Sequence, residues 1–222
     1  AATYADAVFS SQRQIEALLA GAPVSAILAA APHGVSAPLI DALLSVAERA
    51  GRVAHVVDCS ADFRYRTAAA YQAVYGHAHG APARLAQFSC AVPEQLRELR
   101  TPHVAHPGCF ATTILLAAVP LLALDLVEPQ LFVAAVTGST GSGRRPAATT
   151  HHPLRHGDFY AYGALTHRHA PELAACAQAA TGVAANFAFV PHSGPYARGI
   201  HATVQAVLRR PLDTAALLAR LR

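Results

Sequence analysis

Short apolar runs stopped abruptly by proline and glycine constrain the first third of this chain more than any other feature. Val24-Ser25-Ala26-Ile27-Leu28-Ala29-Ala30 is broken by Pro32-His33-Gly34. A run this short, apolar on both faces and ended by breakers, reads as a buried parallel strand. Ser36 to Ala50 then has helical spacing and meets Gly51, a residue suited to the left-handed position after a helix. Val53-Ala54-His55-Val56-Val57-Asp58 is a second buried strand, leading into Ser60-Ala61-Asp62-Phe63-Arg64, and His103-Val104-Ala105 is a brief third. Strand, helix, strand in this order predicts a parallel α/β sheet, with chemistry at the C-terminal ends of its strands.

The pattern changes further on. Leu131 to Val136 reads as a strand entering a Gly/Ser loop from Thr137 to Arg145, and a polar, His-rich connection runs on to about Tyr162. Pro171 to Ala180 is helical in spacing, while Asn186 to Val190 and Ile200 to Leu208 read as strands. Residues 1–108 thus read as a parallel α/β sheet and residues 109–222 as an α+β part. The change of pattern itself is soft, near Leu126 to Leu131.

Composition excludes several classes. The 222 residues are 53% hydrophobic, so neither disorder nor low complexity fits. Pro120, Asp125 and Glu128 interrupt the longest apolar stretch well short of a membrane span. All basic charge is arginine, spread along the chain, with no aromatic residues interleaved in a basic patch. Nucleic acid is therefore not an expected partner, although arginine suits planar carboxylate and phosphate. Cys59, Cys90, Cys109 and Cys176 form no CxxC pair, which predicts free thiols rather than zinc or a disulfide framework. His151, His152 and His156 lack a carboxylate or cysteine at ligand spacing, so no metal is expected. The first residues have no basic start followed by an apolar block, and the expected location is the cytoplasm.

The most chemically suggestive stretch is His106-Pro107-Gly108-Cys109-Phe110-Ala111-Thr112-Thr113, directly ahead of the apolar run Ile114 to Val119. It puts Cys109 at or just before a helix N-terminus, where unpaired N–H groups and the helix dipole favour thiolate. Such a thiolate is a nucleophile, whereas Cys59 at a strand end and Cys176 in an Ala-rich helix read as inert. Thr166-His167-Arg168-His169-Ala170-Pro171-Glu172 is the second constellation. With Pro171 as the first helical residue, His169 falls just outside the helix and Glu172 in its first turn. His169 then reads as a neutral proton acceptor and Glu172 as the acid that orients it, or both histidines read as surface loop residues.

Two other segments stay open. The loop Gly138 to Gly143, followed by Arg144 and Arg145, reads as a flexible linker or as an anion cradle. His192 and Arg198, in the Pro/Gly-rich stretch Pro191 to Gly199, read as carboxylate ligands or as parts of an ordinary hairpin connection.

Taken together, these segments resemble the N-acetyl-γ-glutamyl-phosphate reductase family of arginine biosynthesis. The resemblance rests on His-Pro-Gly-Cys-Phe-Ala-Thr at 106–112, Pro-His-Gly at 32–34, Ser-Ala-Asp-Phe-Arg at 60–64, His-Arg-His-x-Pro-Glu at 167–172 and the segment Pro191 to Thr203. It implies a Rossmann-like parallel sheet, incomplete over residues 1–108, an α+β catalytic and dimerisation domain over 109–222, and NADPH-dependent reduction of an N-acylated γ-glutamyl phosphate to the semialdehyde, in a homo-oligomer. Cys109 is then the nucleophile and His169 the acid/base, with Glu172 beside it. Pro32, His33, Gly34, Gly141, Ser142 and Gly143 would border the cofactor, and Arg64, His167 and Arg198 the substrate. Reductases of aminoadipyl or aspartyl phosphate share these motifs, and a Cys-His acyl hydrolase is the alternative without a dinucleotide. The family's Gly-rich pyrophosphate turn is expected to have no counterpart before Val24, and its C-terminal helix and final segment none after Arg222. The loop reads Thr-Gly-Ser-Thr-Gly-Ser-Gly where Ser-Gly-x-Ser-Gly-Ala-Gly is commoner. The 222 residues alone are therefore expected to bind NADPH poorly.

Overall fold

The computed structural model describes residues 10–95, 98–143, 145 and 147–221. Arg144, one of the two arginines after the Gly/Ser loop, lies outside the described residues. The chain forms two compact units, one of residues up to Ser89 with Arg100–His106, the other of Cys90–Leu99 with Pro107 onward. The second unit thus takes in an earlier stretch of chain that the sequence pattern does not mark.

In the first unit, α1 (Gln12–Gly21) starts with a reciprocal Ser11/Gln14 capping box, which the sequence reading passed over. β1 (Val24–Ala29), α2 (Ser36–Arg49), β2 (Val53–Asp58) and α3 (Ala68–Tyr75) follow. Next come β3 (Phe88–Cys90) and β4 (His103–Ala105), in a sheet of order β1-β2-β4-β3. β1 and β2 are parallel with Val24 opposite Val53, and β2 and β4 are parallel with Val57 opposite Val104. This is the α/β class expected. Gly51 takes φ +65°, the left-handed conformation that ends α2 without a Cβ clash.

Two buried carboxylates organise the C-terminal ends of these strands. Asp58 accepts from the hydroxyls of Ser36 (2.7 Å) and Ser60 (2.6 Å). Asp62 accepts from the N–H groups of Gly34 (2.8 Å) and Ala37 (2.9 Å) and from the Tyr71 hydroxyl (3.2 Å). No side chain next to α2 caps it, so the cap comes from a residue far along the chain. His33 Nδ1 accepts from Ala61 N–H at 2.9 Å, which puts the proton of the neutral ring on Nε2. The Pro-His-Gly and Ser-Ala-Asp-Phe-Arg segments are thus two halves of one hydrogen-bonded corner.

In the second unit, α4 (Cys109–Ala123) and α6 (His169–Thr181) pack on one face of a sheet of β5 (Val127–Thr137), β6 (Tyr160–Ala161), β7 (Asn186–Ser193) and β8 (Ile200–Leu208). The short α5 (His152–Arg155) precedes β6, and α7 (Thr214–Leu221) ends the described chain. Sheet order is β6-β7-β5-β8, with β5 parallel to β7 and antiparallel to β8. The core is Phe110, Ile114, Leu115 and Leu122 of α4 against Leu131, Val133, Leu173, Phe187 and Phe189. Burial alternates along β5: Leu131, Val133 and Ala135 point into this core, while Phe132 and Ala134 lie on the opposite, exposed face.

The Pro191–Gly199 segment is not a hairpin connection. β7 and β8 flank β5 rather than each other, so residues 194–199 cross the end of β5. Tyr196 donates its hydroxyl to Val136 O (2.7 Å), and Gly138 N–H donates to Gly199 O (3.0 Å). A Cβ on Gly138 would lie 2.7 Å from Ala197 O, so the crossover admits no side chain there. His192 belongs to β7 itself.

Replacing Asp62 by Asn keeps the shape but turns one of two acceptor oxygens into a donor facing backbone N–H groups. Asp62 is fully buried, and D62N is expected to lose about 1–3 kcal/mol of stability, read as a lower urea midpoint. An unchanged midpoint would remove Asp62 as the cap of α2.

Candidate active site

Cys109 is the first residue of α4 and Gly108 its N-cap, in extended conformation with φ −61° and ψ 159°. Pro107 and Gly108 are buried, but Cys109 is exposed. The thiol therefore stands at a helix N-terminus with solvent access, as the Pro-Gly turn predicted. Gly108 N–H donates to Glu172 Oε1 at 2.6 Å. Glu172, 1% exposed, thereby fixes the cysteine turn to α6. Its negative charge sits in the first turn of α6 and at the N-cap of α4, where both helix dipoles favour it. The sequence assigned Glu172 to the histidine; this geometry gives it a grip on the turn that presents the thiol.

The helix carrying the histidines begins earlier than expected. His169 is its first residue and Pro171 its third. Ala170 N–H bonds to His167 O, closing a turn before the proline, which is tolerated because the first N–H groups of a helix have no partner within it. His169 is buried, not on a surface loop. Its backbone N–H donates to His167 Nδ1 at 3.2 Å, so His167 caps the helix. The His167 ring lies edge-on among Phe110 (5.8 Å), Tyr162 (5.7 Å), Phe189 (5.4 Å) and His169 (4.8 Å). Burial, aided by the Arg168 charge, holds the His167 pKa below its ordinary value. The neutral ring is thus Nδ1 acceptor and Nε2 donor.

The residues on both sides of Cys109 touch the start of α6, through the Gly108–Glu172 bond and the Phe110–His169 ring contact at 6.2 Å. That brings the Cys109 turn, the His169 imidazole and the Glu172 carboxylate into one corner of the second unit. Tyr162, which the sequence reading treated only as the end of a connection, belongs there too. Its phenol pKa is raised by burial and by the Cys109 charge. In the sequence it is one of three aromatics, with Phe159 and Tyr160, at the end of the connection, and nothing singles it out.

The Gly/Ser loop is held by backbone bonds rather than flexible. Ser139 N–H donates to Tyr196 O and Thr140 N–H to Ala197 O, both at 2.9 Å. These bonds set the exposed residues Gly141, Ser142 and Gly143 beside the crossover that carries exposed Arg198. An open groove of about 420 Å³ next to Arg198 is lined by Val136, Phe159, Tyr196, Gly199, Ile200 and His201. Under the same crossover lies buried Arg155, donating to the Ser193 hydroxyl and the Gly194 carbonyl.

In the first unit, Pro32, His33 and Gly34 form an exposed turn after β1. Arg64 is buried and donates to the carbonyls of His106 (3.0 Å) and Cys59 (3.1 Å), bracing two strand ends. Cys59, placed by the sequence at the end of a strand, is exposed just past β2. Among the described residues no cluster of His, Cys, Asp and Glu is placed to hold a metal.

The model of the semialdehyde dehydrogenase dimerisation domain matches residues 109–222. The chain belongs to the semialdehyde dehydrogenase family. Within it the similarity runs to N-acetyl-γ-glutamyl-phosphate reductases, as the motifs implied. That of Dehalococcoides mccartyi (strain BAV1) is 39% identical over 82% of this chain and 53% of its own length. The Nitrosococcus oceani reductase is 38% identical over 83% and 53%. The chain spans about half the length of the curated relatives it matches. Solved semialdehyde dehydrogenases share the fold at low identity. Aspartate semialdehyde dehydrogenase II of Vibrio cholerae, complexed with ASA, has a TM-score of 0.60 at 15% identity, covering 91% of this chain and 60% of that one. The Candida albicans enzyme with NADP has 0.53 at 10%, covering 88% and 54%.

The depressed His167 pKa has a pH consequence. The unfolded ring takes up a proton near pH 6.5, whereas the folded ring resists it until lower pH. Its contribution to stability is present above about pH 6.5 and is lost as pH falls through the folded value. NMR titration should show His167 neutral at pH 6.5, and H167Q should flatten the fall in stability below that pH. A ring titrating above 6.5 would contradict the burial argument.

Proposed function

We propose that this chain is the catalytic part of an NADPH-dependent N-acetyl-γ-glutamyl-phosphate reductase that acts in the cytoplasm. The observation that carries the reading is the corner where exposed Cys109 opens α4 while His169 and Glu172 open α6. Residues 109–222 make the catalytic and dimerisation domain and residues 1–108 part of the dinucleotide domain.

Cys109 thiolate attacks the γ-acyl carbon, the carbon–oxygen bond to phosphate breaks, and inorganic phosphate leaves a thioester on sulfur. Splitting one difficult displacement into two is the gain of covalent catalysis. Glu172, through Gly108, keeps the turn in place while sulfur changes its bonding. His169 takes the hydroxyl proton when the carbon–sulfur bond breaks and the aldehyde departs. Arg64, His167 and Arg198 are the candidates for binding the substrate's phosphate and carboxylate. Arg198 is the exposed cation of the three.

The cofactor residues fit NADPH in a particular way. Gly34 N–H and Ala37 N–H are both taken by Asp62, so the start of α2 does not offer them to a phosphate. The exposed Pro32, His33 and Gly34 of the first unit, and the exposed Gly141, Ser142 and Gly143 of the second, are the candidates for bordering the cofactor. NADPH, when bound, supplies the hydride that reduces the thioester.

The test is the acylation half-reaction. N-acetyl-γ-glutamyl phosphate is expected to release phosphate and leave an acyl adduct that mass spectrometry maps to Cys109. Aminoadipyl and aspartyl phosphates serve as comparators. C109S should give neither product; H169N should still be acylated but lose about two to four orders of magnitude in phosphate-dependent turnover. Acylation elsewhere, or hydrolysis without any dinucleotide requirement, would sink the proposal.

The dimerisation domain also needs a partner surface. The exposed face of the second sheet carries Phe132 (53% exposed) and Val207 (65%). A homo-oligomer through this face is the expected assembly, since pairing two such faces buries them. F132E should shift the chain to monomer in sedimentation; an unchanged assembly would place the contact elsewhere.

A further inference from the structure

Two of the four thiols lie away from the nucleophile and beside each other. Cys90 and Cys176 are 86 residues apart in sequence, yet their Sγ atoms are 3.5 Å apart. The Cys176 thiol also donates toward Cys90 O at 3.7 Å. Cys176 is buried and Cys90 half-buried, and both belong to the second unit. Neither takes part in the acyl-transfer chemistry above.

A disulfide has its sulfurs about 2.05 Å apart, so closure asks this pair for an approach of roughly 1.5 Å. Side-chain rotation and small backbone adjustment supply movements of that size. The partial exposure of Cys90 admits a small oxidant, and Cys176 stands behind it as the second thiol. The position of Cys176 adds a consequence. Glu172 lies one helical turn before it and His169 two turns before it, so all three share one face of α6. A bond at Cys176 tethers the face that carries the acid and the imidazole.

We propose that Cys90 and Cys176 form a second, redox-active thiol site, which closes to a disulfide under peroxide and ties α6 to the Cys90 segment. In the first step Cys90 thiolate attacks hydrogen peroxide; the oxygen–oxygen bond breaks, a sulfur–oxygen bond forms, and hydroxide leaves as water after taking a proton. In the second, Cys176 thiolate attacks the Cys90 sulfenic acid, the sulfur–sulfur bond forms, and the oxygen departs as a second water. Two thiols lose two electrons and two protons, and one peroxide becomes two waters. Exchange with a dithiol reductant reverses the closure.

The experiment uses the 222-residue chain as C109S, which removes the exposed catalytic thiol. The protein is treated with hydrogen peroxide, its remaining thiols are blocked with N-ethylmaleimide, and it is digested without reduction. The expected product is one linked peptide pair joining Cys90 to Cys176, lighter by two hydrogens and released by dithiothreitol. Closing so long a loop restricts the unfolded chain, so the oxidised protein should unfold about 5 °C or more above the reduced form. The further variants C90S and C176A, each checked for fold by circular dichroism, should lose both the linked pair and the shift. Either variant suffices if the other does not fold. Recovery of both cysteines as maleimide adducts, oxidation of Cys90 to sulfinic acid without linkage, or cross-linking through Cys59 would overturn the site. A linked pair with no rise in the midpoint would overturn the tether.

Discussion

The hydrogen bond from Gly108 N–H to the Glu172 carboxylate joins the start of α4 to the start of α6. A buried carboxylate is costly unless its charge is met, and here two helix N-termini meet it at once. That accounts for an acid in the first turn of α6 within reach of the Pro-Gly turn that precedes Cys109. The bond thus ties the turn ahead of Cys109 to the helix that begins at His169.

The first unit uses the same device for a different end. Asp62 collects the Gly34 and Ala37 N–H groups and Asp58 collects two serine hydroxyls, so both carboxylates are buried yet fully engaged. A helix N-terminus following a parallel strand would ordinarily serve as an anion site. At α2 that capacity is already consumed by a side chain of the same chain. The Pro32–Gly34 turn is consequently exposed and tied through Gly34 N–H to Asp62.

Local features were legible in the sequence because local rules govern them. The runs at Val24, Val53 and His103 became β1, β2 and β4, Gly51 ended α2, and the Pro-Gly turn put Cys109 at a helix start. What escaped was set by partners distant in the chain. The pairing of β5 with both β7 and β8 turned an expected hairpin into a crossover, and no residue within Pro191–Gly199 announces that. Cys90 and Cys176 meet across 86 residues, so spacing rules for paired cysteines had nothing to register. The start of α6 was misplaced because Pro171 was given the first helical position. The imidazole of His167 caps the helix at His169, and histidine is an uncommon cap.

The crossover also separates two arginines of similar appearance in the sequence. Arg155, 7% exposed, spends its N–H groups on Ser193 and Gly194 and so holds the point where β7 leaves the sheet. Arg198 stands exposed a few residues later, on backbone whose carbonyls and amides are committed to the Gly/Ser loop. A buried guanidinium bound to neutral acceptors fixes the frame, while a solvated one keeps its donors for an anion. Main-chain bonds hold the loop and crossover together, and the frame also needs the bare Cα of Gly138 and the Tyr196 hydroxyl on Val136 O. Arg198 takes no part in that frame, so its side chain can change while the main-chain bonds around it stay in place.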